Sequence, residues 1–142
     1  MGPSWADVER LIMTARGDQP RDIRDYAILL LFALYALRSG EVAAQRLEDL
    51  HWEREIIVVA RPKQRRVQEY PLGKSVGEAI VSFLQQVRPR SARREISLTL
   101  KAPFRPLSAG ALYHLVSSRL SELSIQVHAA DRIRSDMPVP DI

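Results

Sequence analysis

In the stretch YALRSGEVAAQRLEDLHWEREIIVVARPKQRRVQEYPL, Arg38 closes an apolar helix and an acid, Glu41, follows three residues later. A second basic cluster, Arg61, Lys63, Arg65 and Arg66, stands at the turn between two strand-like runs. Cations held on regular elements either decorate a solvated surface or converge on an anion. The planar fork of arginine suits bidentate phosphate contacts better than the point charge of lysine, so a phosphate-bearing polyanion is the ligand class these residues suggest. The plainer readings stand beside this one. An arginine after a helix is ordinarily a cation placed favourably against the helix dipole. Glu41 reads equally as the acid that opens the next helix. A basic hairpin can grip phosphates without catalysing anything, and Arg65 or Arg66 would do that as well as Lys63.

The elements that must position these residues follow from periodicity and punctuation. Ser4 reads as the N-cap of a short amphipathic helix with Val8, Leu11 and Ile12 on one face, ended by Gly17. A helix from Asp22 to about Leu37 is apolar on nearly all sides in its second half and is expected at the centre of the core. A short helix over Glu41 to Leu47 follows. The β-branched run EIIVVA and the return through RVQEYPL predict two antiparallel strands joined by the basic turn, with Pro62 at a strand end. Val76, Ile80, Phe83, Leu84 and Val87 share one face of a helix that ends at Pro89. Ser108 caps a last helix whose stripe is Leu112, Leu115, Val116 and Leu120. The reading is mainly α with a small antiparallel β-sheet, an α+β domain.

Composition narrows the function classes. The chain has 142 residues, 46% apolar and 27% charged, a globular balance for one domain. Lys and Arg number 21 against 17 Asp and Glu, a formal charge of +4 that is compatible with a polyanionic partner. There is no cysteine, which excludes disulfides and thiolate metal sites and makes the cytoplasm the expected compartment. The longest apolar run, Ala27 to Leu34, falls far short of the roughly 20 residues of a membrane span, and no export signal is visible.

Over about Trp5 to Val127 the sequence resembles the catalytic domain of the tyrosine recombinases, or phage integrases. ALRSGEV resembles the family's first arginine box, and ARPKQRRVQEYPL resembles the hairpin that carries its catalytic lysine. LTLKAPFRPLSAGALYHLV is similar to the segment some integrases place before a second arginine box. Family members cut a DNA strand with a tyrosine, leave a 3′ phosphotyrosine, and rejoin the strand elsewhere. The resemblance therefore implies that Arg38 contacts the scissile phosphate, where fixed guanidinium donors stabilise the charge gathered in a phosphorane transition state. It implies that Glu41 orients this arginine or its neighbouring backbone, and that Lys63 protonates the leaving 5′ oxygen. Arg61, Arg65 and Arg66 would bind DNA. The implied partners are double-stranded DNA and other recombinase subunits, with no metal, no small-molecule cofactor and no membrane.

The sequence also departs from the family. It contains neither an HxLRH box with a second arginine nor a tyrosine suited to be the nucleophile: Tyr26 and Tyr35 fall in the core helix, Tyr70 at a strand end, and Tyr113 in the last helix. Ala36 stands where the family usually has glycine, a change that a helical position accepts. Residues 128–142, HAADRIRSDMPVPDI, lack apolar periodicity and are expected to be irregular, set apart from a partial recombinase domain over 1–127. Codons permitted for Asp131 to Ile142 allow an out-of-frame peptide, PHSLRHACAGH, that contains the HxLRH box. The expectation is a DNA-binding protein of site-specific recombination, truncated by a frameshift and unable to cleave DNA alone, with uncovered apolar surface. The alternative is a non-catalytic DNA-binding module or a functionless relic of a mobile-element integrase.

Overall fold

The structure, a computed structural model, describes residues 4–61 and 64–135, with side chains described as far as residue 124. Helix α1 (Trp5–Met13) starts at Ser4, whose hydroxyl accepts the Asp7 N–H while the Asp7 carboxylate accepts the Ser4 N–H. This reciprocal cap satisfies donors that a helix start otherwise leaves unpaired. Helix α2 (Pro20–Tyr35) begins with a proline, whose fixed φ suits the first helical position, and buries Asp25 and every residue from Ala27 to Leu31. It is the expected central helix.

Helix α3 (Ser39–Ala43) is shorter than the sequence suggests, and Leu47–Asp49 forms a separate 3₁₀ turn. The sheet is antiparallel in the order β1 (Leu50–His51), β2 (Ile56–Arg61), β3 (Arg66–Pro71). Strand β1 is an addition to the expected hairpin. The β2 and β3 strands pair in the register Ile57 with Tyr70, Val59 with Gln68 and Arg61 with Arg66. Ile57 and Val59 alternate into the core, whereas β3 has no fully buried residue and adds only the half-buried Tyr70 to the edge of the core.

Helix α4 (Lys74–Gln86) packs Val76, Ala79, Ile80 and Phe83 against α2. The following loop buries Ile96 and Leu98 and closes on itself through the bridge between Leu98 and Pro106. Helix α5 (Ala109–Ser135) lies against α3 and α1, and its start is capped by the Ser108 hydroxyl, which accepts the Ala111 N–H at 3.0 Å.

Several expectations change. Helix α5 continues through residues 128–135, where an irregular segment is expected, while 136–142 lie outside the described residues. The stretch HAADRIRS has neither Gly nor Pro, and extending a helix that is already nucleated is easy for alanine and arginine. Leu120 is 46% exposed, and the buried place one residue earlier belongs to Arg119. Trp5 and Trp52 are exposed, although large aromatic side chains ordinarily pack inside. Ala36 is not helical: its φ of 51° and ψ of 42° are left-handed, the conformation glycine supplies at helix ends because a Cβ crowds the next carbonyl.

Candidate nucleic-acid interface

The left-handed turn at Ala36 redirects the chain so that Leu37 is buried and Arg38 is exposed at the start of α3. The Arg38 N–H donates to Glu41 Oε1 at 2.8 Å. An arginine side chain has no acceptor, so only this half of a reciprocal cap can form, and it places a negative charge where the first turn of a helix favours one. Among the described residues no ion pair engages the Arg38 guanidinium. Its backbone is held and its charged end is open.

Glu41 also faces the sheet. Its Oε2 lies 3.4 Å from Arg61 Nη1, and the two side chains are only 11% and 15% exposed. Arg61 Nη2 donates to the Tyr70 hydroxyl at 2.9 Å, and that hydroxyl donates to Gln68 Oε1 at 2.6 Å. The guanidinium carbon sits 5.9 Å from the Tyr70 ring centroid, within cation–π range. A second tie joins the end of α2 to the end of β3: the Tyr35 hydroxyl donates to the Pro71 carbonyl at 2.7 Å and accepts the Gly73 N–H at 3.2 Å. The Tyr35 and Tyr70 rings lie 5.7 Å apart. Buried Gln45 adds a third, donating to the Val58 carbonyl at 2.8 Å. The α2–α3 junction and the hairpin base thus form one cross-linked unit.

The sequence-derived candidates therefore divide. Arg38, Arg65 and Arg66 are exposed. Arg65 is left-handed, with φ 51°, and Arg66 Nε donates to Gln64 Oε1 at 3.0 Å. Arg61 points inward and is joined to Glu41. Lys63 lies outside the described residues. Glu41 meets the Arg38 backbone rather than its guanidinium. Among the described residues no cluster of His, Asp and Glu could hold a metal ion, and no helix is long and apolar enough to cross a membrane.

A second charged network joins α5 to α2 and to the end of α1. Arg119, 2% exposed, donates to Asp25 Oδ2, to Asp22 Oδ1 at 3.0 Å and to the Thr14 carbonyl at 2.7 Å. Burial opposes the Arg119 charge, but the hydrogen bonds to Asp22 and Asp25 outweigh it and hold the pKa above the ordinary arginine value. The available signal was its position, four residues after Leu115 and seven after Leu112, inside the apolar stripe.

The Tyr26 ring carries the Arg16 guanidinium 4.9 Å from its centroid, and Tyr113 is 70% exposed on α5. Both Tyr35 and Tyr70 have their hydroxyls engaged at the hairpin base.

Comparison with known proteins adds to this geometry. The family model described as the phage integrase family matches residues 5–137. The chain is 39% identical over 116 residues to a Sinorhizobium fredii protein described as an integrase/recombinase, y4gC, covering 82% of this chain and 59% of that one. It is 29% identical over 136 residues to the tyrosine recombinase XerC of Shewanella sp. (strain ANA-3), covering 89% of this chain and 43% of the relative. The crystal structure of XerA recombinase shares the fold, with a TM-score of 0.74 at 19% identity over 89% of this chain and 43% of that one. The chain thus spans about three-fifths or less of the length of these relatives. A match across nearly all its residues, together with the arginine box and hairpin in place, makes this chain a member of the phage integrase family, the tyrosine recombinases.

Proposed function

We propose that this chain binds double-stranded DNA in site-specific recombination of the tyrosine recombinase type, with Arg38 on a backbone phosphate and Arg65 and Arg66 on neighbouring ones. The observation that carries this reading is the exposed Arg38 guanidinium on a backbone clamped by Glu41 beside the basic hairpin. A donor fixed in place stabilises charge without reorganising, which is what phosphoryl chemistry requires. Lys63, by the family resemblance, is the general acid, and Glu41 supports Arg38. Other recombinase subunits are the expected protein partners, and the cytoplasm is the expected compartment.

Strand cleavage is assigned to residues other than these. The sequence holds no HxLRH box, and the hydroxyls of Tyr35 and Tyr70 are committed to the hairpin base. We therefore read the 142 residues on their own as a DNA-holding part of the catalytic domain that makes no phosphotyrosine. A nicked suicide duplex incubated with the protein, alongside a salt titration of binding, tests both halves. Salt-sensitive binding without a covalent adduct is the expected result. An adduct would overturn the assignment of the nucleophile, and no binding at low salt would overturn the DNA-binding role and leave the relic.

A further inference from the structure

We infer that Arg61 is a positioning residue for Arg38 and makes no DNA contact of its own, an inference that rests on the reading of Arg38 as a phosphate ligand. Arg61 is the last residue of β2, directly before the basic turn, where a cation would be expected to face the polyanion. It faces the protein. Its guanidinium is held on one side by Glu41 at 3.4 Å and on the other by the Tyr70 hydroxyl at 2.9 Å, with 15% of the side chain exposed. A charge already offset by a carboxylate and largely covered adds little to counterion release on DNA binding.

What Arg61 does control is the placement of Glu41. The two Glu41 oxygens are divided between the Arg38 N–H and the Arg61 guanidinium, so the contacts run unbroken from Gln68 through Tyr70, Arg61 and Glu41 to the Arg38 backbone. Gln45 ties the middle of β2 to the segment after α3, and the Arg61 contacts tie the end of β2 nearest the turn. Removing the guanidinium leaves Glu41 without its cation and frees the start of α3 to shift against the hairpin. The geometry also calls for arginine, because the planar fork reaches Glu41 and Tyr70 at once and a single ammonium does not.

Affinity of the full chain for a mixed-sequence DNA duplex, measured across a salt series, tests the inference through a double-mutant cycle. Arg38→Ala is expected to weaken binding about tenfold, as the loss of one charged hydrogen-bonding contact would. Arg61→Met is expected to weaken binding several-fold in the native background and to have no further effect beside Arg38→Ala. An additive loss, with the salt slope falling by about one, would instead make Arg61 a direct phosphate contact and overturn the proposal. So would an Arg61→Met protein that binds like the parent. If Arg61→Met does not fold, Arg61→Lys decides: a direct contact keeps its charge and its affinity, whereas a positioning fork loses affinity, and only when Arg38 is present. If Arg38→Ala alone changes nothing, the phosphate role of Arg38 fails first and the positioning role falls with it.

Discussion

Arg119 of α5 gives two hydrogen bonds to the same Asp25 oxygen of α2, at 3.1 and 2.9 Å, with both residues almost fully buried. The other Asp25 oxygen accepts Arg24 Nε at 3.0 Å, and Arg119 reaches on to the Thr14 carbonyl just after α1. One guanidinium therefore ties α5 to α2 and to the end of α1, which lie 94 and 105 residues earlier in the chain at the bonded positions. Removing one member of such a group strands a charge in a medium that solvates it poorly.

Arg119→Met is accordingly expected to lower unfolding stability by about 3 kcal/mol or more, since breaking a buried pair leaves its partner uncompensated. Arg24 still shields Asp25, which sets the expectation near the low end. Urea denaturation checks this, and a loss under 1 kcal/mol would mean that the network is replaceable.

Ala36→Gly is expected to stabilise the fold. The left-handed conformation costs a residue with a Cβ about 1–2 kcal/mol, and the greater freedom of unfolded glycine returns part of that. A net gain of roughly 0.5–1 kcal/mol is expected, read as a higher denaturation midpoint at unchanged m-value. A loss on this substitution would count against the left-handed turn.

Arg65 and Arg66 are exposed at the hairpin turn. Replacing both with alanine is expected to weaken duplex binding at every sequence alike and to lower the slope of log affinity against log salt by about two. Thermal stability should barely move, because β3 buries none of its residues. A large drop in melting temperature would show that the two arginines hold the hairpin itself.

Acid should destabilise the loop that follows α4. Hydrogen bonding from Arg46 holds the Glu48 carboxyl below its ordinary value of 4.5, and a backbone hydrogen bond, with Arg93 assisting, does the same for Glu95. Both folded pKa values lie below the unfolded ones. Their stabilisation is therefore complete above the unfolded value and disappears as pH falls through the folded one. Stability should hold from neutral pH to about 5 and decline below about 4.5, with Glu48→Gln flattening part of the decline. A decline that begins well above pH ~5 would count against these two carboxylates as its cause.

Much of this molecule was legible as text because its elements are encoded locally. Ser4, the apolar run from Ala27, the β-branched run EIIVVA and the stripe from Val76 to Phe83 each act within a turn or two of the chain, and the elements form where these signals stand. The arginine box and the strands of the basic hairpin were equally plain, as was the family. What the chain could not declare locally is which charges meet. Arg61 and Arg66 look alike in sequence, yet the strand end turns one toward Glu41 and leaves the other in solvent. Arg119 looks like one surface cation among many, and only the packing of α5 against α1 and beside α2 gives it Asp25 and covers both. Periodicity specifies a face; whether a charge on that face is buried, paired or open depends on elements far along the chain, and so on the tertiary fold alone.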